Sequence, residues 1–188
     1  MKAGGLNPGR SFLVLAAVCE ILGGPRLQAQ APRPSEYQVK AAYLSNFGRF
    51  VEWPARPAPR GDEPFNICVL GEDPFGVALD AALSGETIDR GRLVAMRIQK
   101  PLSAAGCRVL FISSSEESQL KEILAALATT SVLTVSDMPQ FVKRGGMIQF
   151  LVDSNRVRFE VNLTAAQRAG LTLSSELLKL AIAVRRAP

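Results

Sequence analysis

From Ser35 onward, Tyr37, Ala41, Leu44, Phe47 and Val51 recur at helical spacing, which predicts an amphipathic helix with Ser35 as its N-cap. Pro54 should end it, because the residue before a proline is pushed out of the α region. Trp53 closes this helix and is expected to pack beside the core. Pro57, Pro59 and Gly61 then make a loop. FNICVLG (65–71) is a continuous run of apolar and β-forming residues and reads as a buried strand. After it, Asp73 suits an N-cap and Pro74 a first helical position, for a helix through Phe75, Leu79 and Leu83 that ends near Gly85. RLVAMRIQ (92–99) and CRVLFIS (107–113) are the next strands. Ser113 and Glu116 match a capping box ahead of a helix through Leu120, Ile123, Leu124 and Leu127.

SVLTVSD (131–137) gives a fourth strand, followed by a short helix or loop through Phe141 to Gly145-Gly146. Residues 147–162 then read as a hairpin turning at Asp153-Ser154-Asn155, residues that tolerate turn geometry. Val157, Phe159 and Val161 alternate with Arg158 and Glu160, so one face is buried and the other polar. Thr164 to Ala169 form a short helix stopped by Gly170. Ser174 caps a last helix with Leu177, Leu178, Ala181 and Val184 inward, and Arg185 and Arg186 at its end complement the helix dipole. Helices alternating with strands at these spacings predict an α/β fold: a three-layer sandwich with a largely parallel mixed sheet, a C-terminal β-hairpin and helices on both faces.

The first thirty-odd residues change the picture of where this fold works. Lys2 and Arg10 precede the short apolar stretch from Phe12 to Val18, and Ala29-Gln30-Ala31 fits small-x-small cleavage, so residues 1–31 read as a signal peptide. The apolar stretch is too short for a membrane span. Val18 stands before Cys19 where lipidation needs a small residue. Residues 32–188 remain as a single domain with room for a proper core. Losing Lys2, Arg10, Arg26 and Glu20 leaves 19 basic against 16 acidic groups, a net +3 with the signs interspersed. No basic stripe or aromatic platform marks a nucleic-acid binder.

The chain has no histidine. That excludes Ser-His-Asp and Cys-His catalysis within one chain, and any His-ligated metal. Neither GxxxxGK[ST] nor GxGxxG is present, so phosphate and dinucleotide loops are absent as motifs. Carboxylates such as Asp73 and Asp137 leave enzyme chemistry formally open, but the pattern reads as a non-enzyme without cofactor or metal. Gly71, Ser113 and Ser136, at strand C-termini, would line the pocket of a small-ligand-sensing domain, which is the alternative reading.

Cys68 and Cys107 are the only cysteines beyond the leader, each near the start of an apolar run. They can be a disulfide between neighbouring strands or two buried thiols packed as small apolar groups. Behind an export signal the bridge is favoured.

Several blocks together resemble the YfiR-like family of periplasmic proteins. They are EYQVKAAYL (36–44) with Asn46-Phe47 and FVEWP (50–54), ICVLG (67–71), DPFG (73–76), CRVLFIS (107–113), LTV (133–135), GGMI (145–148), RFEVN (158–162) and Gly170-Leu171 to Leu178. The resemblance implies a periplasmic repressor. Such a protein holds an inner-membrane diguanylate cyclase inactive through its periplasmic sensor domain, and so controls cyclic-di-GMP signalling and biofilm formation. An OmpA-like outer-membrane lipoprotein would sequester it, and a homodimer is in keeping with the family, although no self-complementary seam shows. Cys68 and Cys107 match the family's disulfide positions. Some relatives carry a second pair flanking the Gly-Gly segment, where this chain has Val142 and Gln149, so switching through such a pair is not carried over. The resemblance also directs attention to RFEVN and the helices after it, making Arg158, Glu160, Leu163 and Arg168 the candidate partner-binding residues.

Overall fold

The computed structural model describes residues 33–54 and 63–186; the leader at 1–31 and the loop residues Pro57, Pro59 and Gly61 lie outside them. In chain order the elements are α1 (Glu36–Phe47), β1 (Val51–Glu52), β2 (Phe65–Leu70), α2 (Val77–Leu83), β3 (Thr87–Ile88), β4 (Gly91–Ile98) and β5 (Val109–Ile112). They continue with α3 (Leu120–Leu127), β6 (Leu133–Ser136), β7 (Ile148–Asp153), β8 (Arg156–Asn162), α4 (Leu163–Arg168), β9 (Thr172–Leu173), α5 (Ser175–Leu180) and β10 (Ala183–Arg185). Short 3₁₀ segments at Pro101–Gly106 and Ser114–Gln119 precede β5 and α3.

Eight strands form one sheet in the order β10-β8-β7-β6-β5-β2-β4-β3. The five from β7 to β4 run parallel, β8 closes an antiparallel hairpin with β7, and β10 lies parallel to β8. β2 lies between β4 and β5 in register Phe65↔Leu93 and Ile67↔Val109. It is buried on both faces, which is why its sequence is a continuous apolar run rather than an alternation. One face of the sheet carries α1 and α2 over a core that includes Ile67, Val69, Phe111, Val135, Phe150 and Phe159. The other carries α3 over Cys68, Leu70, Leu110, Ile112 and Phe141. This is the expected three-layer α/β architecture. The hairpin turns at Ser154 and Asn155, both at positive φ (48° and 59°), as a two-residue turn between right-twisted strands requires.

Cys68 and Cys107 are joined in a disulfide with Cα atoms 5.9 Å apart, and both are fully buried. Cys68 lies within β2 and Cys107 just before β5, so the bridge ties two adjacent strands.

Four expectations about helices need correction. α1 stops at Phe47 rather than running to Trp53. Gly48 packs so closely that a Cβ there would meet Ile88 Cδ1 at 2.5 Å and Phe65 Cζ at 2.6 Å. The chain then turns through Arg49 N–H to Asn46 C=O (2.9 Å), and Val51 enters β1 opposite Leu173 of β9. Trp53 packs edge-on against Phe65. The last helix likewise ends early. Ser174 caps it, accepting from Leu177 N–H (3.2 Å), but Ala181 is extended and Ile182 N–H donates to Phe159 C=O (3.0 Å), which starts β10. Arg185 is therefore a strand residue, with no helix end to complement.

Asp73, the third, does not cap α2, whose N-cap is Gly76. Asp73 Oδ1 instead accepts from Phe75 N–H (2.8 Å) while Oδ2 accepts from Arg97 Nε (2.8 Å). Arg97 also forks onto Asp80 (2.8 and 2.7 Å) and reaches Gly76 C=O, tying β4 to α2. Hydrogen bonds from this guanidinium hold the Asp80 carboxyl below its ordinary range. Ser113 heads the 3₁₀ segment before α3, accepting from Ser115 N–H (3.4 Å); Glu116 reaches Ser115 Oγ, so the reciprocal half of the capping box is not formed.

Candidate functional site

The four residues singled out from sequence fall in three settings. Arg158 and Glu160 alternate with Phe159 along β8 and lie on the face away from α1, both half-buried. Glu160 accepts from Arg185 Nε of β10 (3.2 Å), an ion pair across neighbouring strands. Leu163 is buried with the core, where it holds the start of α4 in place. Arg168, exposed at the end of α4, stands at the lip of a cleft of about 270 Å³ whose walls include Leu127, Val132, Met147 and Thr164. Among the described residues neither Arg158 nor Arg168 has an ion-pair partner. These two guanidiniums are free to meet an acidic surface. Nothing in this group has the geometry of an acid–base or nucleophile–base pair.

On the opposite face of β8 the structure presents an apolar groove of about 350 Å³ between α1 and α5, walled by Val39, Ala42, Tyr43, Phe47, Phe159 and Leu177. Its floor is an aromatic cluster. Tyr43 and Phe47 of α1 each lie within 6.0 Å, ring to ring, of Phe150 and Phe159. The sequence pattern assigns Phe47 to the core but gives no sign that α1 leaves one flank uncovered, because α5 is too short to cover it.

A third group was invisible in the sequence. Lys40 of α1 has a side chain only 2% exposed, and its ammonium lies 2.6 Å from Asp137 Oδ2 and 2.5 Å from Glu36 Oε1. Tyr37 donates its hydroxyl to the same Asp137 oxygen (3.1 Å) and offers its ring face to Lys40 Nζ at 4.4 Å. Burial alone would lower the pKa of Lys40, but the hydrogen bonds to Asp137 and Glu36, with the Asp137 charge, together leave it above the ordinary lysine value. Burial, then the Asp137 charge, raises that of the Tyr37 phenol. The group joins the first turn of α1 to the C-terminal end of β6. With Lys40 and Asp137 at a sequence separation of 97, no local pattern could have found it.

At the C-terminal ends of β2, β5 and β6, where a small ligand was the alternative expectation, Gly71, Ser113 and Ser136 make contacts with the protein itself. Gly71 (φ +86°) sits against Ser115 and Glu116, and Glu72 N–H donates to Ser115 Oγ (3.0 Å). Ser136 is fully buried, donating to Ile112 C=O (2.7 Å) and accepting from Met138 N–H (3.1 Å). Both carboxylates considered for catalysis are committed, Asp73 to Arg97 and Asp137 to Lys40. Among the described residues no helix is long and apolar enough to cross a membrane.

A family model described as YfiR/HmsC-like matches residues 37–182. Among solved structures the chain is similar to a conserved domain protein from Vibrio cholerae O1 biovar eltor, at 13% identity and TM-score 0.55, over 80% of this chain and 60% of that one. It is also similar to an ABC domain in complex with L-Trp from Streptococcus pneumonia, at 11% identity and TM-score 0.50, over 77% of this chain and 60% of that one. The chain thus spans about 60% of the length of each of these structures, and at such identities the likeness is one of fold.

Proposed function

The chain belongs to the YfiR/HmsC-like family, and on that premise we propose that it is a periplasmic repressor that binds an inner-membrane diguanylate cyclase and holds it inactive. Residues 1–31 serve as its signal peptide, and residues 32–188 act as one binding domain. It works by differential affinity: a protein that binds the inactive form of the sensor domain more tightly than the active form shifts the population toward inactivity. No cofactor or bond-making step is required of it. Relief comes from sequestration, with an OmpA-like outer-membrane lipoprotein as the competing partner.

The observation that carries this reading is the match over residues 37–182, joined to what the surface offers. The chain presents the uncommitted guanidiniums of Arg158 and Arg168 and an open apolar groove, while Asp73, Asp80 and Asp137 are tied up in structural ion pairs. In this account Arg158, Glu160 and Arg168 are the contact residues and Leu163 sets the position of α4.

The test is cyclic-di-GMP in cells that make the cyclase. Restoring the wild-type chain to cells lacking it should lower the nucleotide several-fold. Glu160→Arg should fail to lower it, because it removes the contact Glu160 itself makes with the partner and sets a second cation against Arg185. The Glu160–Arg185 pair is partly exposed and worth about 0–1 kcal/mol, so the variant should melt close to wild type. A wild-type chain that leaves cyclic-di-GMP unchanged would refute the repressor reading, and a Glu160→Arg variant that unfolds would make Glu160 structural.

A further inference from the structure

The groove between α1 and α5 has no role in the fold, since its walls are already packed from behind by Phe150 and the rest of the core. Its lip is more apolar than a solvated surface needs. Leu180, the last residue of α5, is 59% exposed and Ile182, just beyond it, 52%. Of its polar lining residues, Tyr43 and Asn46, Asn46 spends its amide on Ala42 C=O (2.8 Å), so no charged group and no set of polar groups converges as in a metabolite pocket. An open apolar trough between two helices is the shape that accepts a third helix through anchors at i, i+3, i+4 and i+7.

Charge indicates which kind of helix. Residues 139–186, which include β7, β8, β10 and α5, carry eight basic and three acidic side chains. Residues 63–138, which include β2, β4 and α2, carry six basic and ten acidic ones. These two sets of strands occupy opposite ends of the sheet, so the end that holds the groove's β8 and α5 wall is the more basic, with Arg158 and Arg168 on the far side of β8; residues 33–54, which include the α1 wall, add three basic and two acidic groups. A second copy docked through the same face would set two positive ends against each other, which is unfavourable. An acidic occupant would be steered toward the groove.

We propose that the groove docks an amphipathic helix of the partner, its apolar face seated on Tyr43, Phe47 and Leu180 and its flanks rich in Asp and Glu. This rests on the reading of the chain as a binding protein and names the chemistry of what it binds. The measurement needs no cyclase, so its failure is separable from failure of the repressor reading.

The probe is a fluorescein-labelled 18-residue synthetic helix with Leu on one face and Glu on the other, set beside a twin with Lys in place of Glu. Fluorescence anisotropy with the mature chain should show saturable binding of the Glu peptide and little of the Lys peptide. Binding should weaken as salt rises from about 50 to about 300 mM, as the Debye length contracts. Leu180→Asp and Ala42→Glu, both at exposed positions, should each cut affinity about tenfold or more, the range expected for an anchor contact, with unchanged melting. Equal binding of both peptides would overturn the charge argument, and binding unaffected by the two variants would overturn the site. Association with phosphatidylglycerol vesicles in place of the peptide would make the groove a lipid surface. A dimer of the chain broken by Leu180→Asp would make it a self-interface. Either result overturns the proposal.

Discussion

Protein refolded with Cys68 and Cys107 kept reduced is expected to melt roughly 10 °C below the oxidised form, from the usual ratio of melting shift to free energy for a domain of this size. The two cysteines are 39 residues apart in sequence. In the chain-entropy model, closing a loop of that length removes about 4 kcal/mol worth of freedom from the unfolded state. Against a typical total of about 5–15 kcal/mol, that is a large share. The loop encloses α2, β3 and β4, the unit that leaves β2 on one side and returns as β5 on the other. Both half-cystines are fully buried, so reductant added to the folded protein should act slowly, and the comparison needs refolding. Calorimetry of the two forms measures it. Coincident melts would mean that the bridge contributes nothing, and two titratable thiols in the unfolded protein from an oxidising compartment would mean that it does not form. If the brace also supports repression, the reduced protein should restrain the cyclase less at a temperature where it begins to unfold, and equally well far below it. The bridge is then a fixed brace rather than a redox switch.

The second large effect belongs to Lys40. Replacing it by Met keeps the unbranched stem as far as Cε but leaves Asp137, only 15% exposed, with the Tyr37 hydroxyl as its remaining partner and no cation. Breaking a buried pair from one side typically costs about 3–5 kcal/mol, because an uncompensated charge stays behind. Glu36 is 45% exposed and can turn to water, which places the expected loss for Lys40→Met near the lower figure, about 3 kcal/mol. Adding Asp137→Leu removes the stranded charge, so the double variant should be more stable than Lys40→Met alone, as coupling between contacting groups requires. Urea unfolding of the four proteins closes the cycle; additive effects would show that the two residues do not act as a pair. Alkaline titration supplies a second check. The folded-state pKa of Lys40 is raised, so its contribution is complete below the unfolded lysine value, ~10.4, and is lost as pH climbs through the folded value. Tyr37, also raised, loses stability in the same direction. The wild type should therefore weaken above about pH 10 more steeply than Lys40→Met, in keeping with the ordinary tyrosine and lysine values.

Continuous apolar runs gave away the strands that are buried on both faces. FNICVL and VLFI lie at the centre of the sheet, and alternation identified β8 with Phe159 and Val161 inward. What stayed hidden were elements made by long-range pairing. Val51 has helical spacing from Phe47, yet pairing of Val51 and Glu52 with Leu173 and Thr172 and a tight approach at Gly48 decide its fate. Val184 has helical spacing from Leu177 and Ala181, yet pairing with Val161 draws it into β10. In both places a periodic pattern was outweighed by backbone hydrogen bonds to a strand distant in sequence. The candidate surface was legible in the same uneven way. Arg158 and Glu160 announced an exposed face by alternation, whereas the ion pair to Arg185 needed β10 to exist. The groove needed α5 to stop at Leu180, and the Lys40 cluster needed the folded sheet to bring Asp137 to α1.

The central claim is that this chain acts by binding a cyclase, and its most direct test is calorimetric titration. Residues 32–188 would be titrated against the purified periplasmic domain of the diguanylate cyclase that the chain is proposed to repress. The account predicts saturable binding at micromolar affinity or tighter that Glu160→Arg weakens. No heat with that domain, together with saturable binding of a small metabolite to the chain alone, would contradict it.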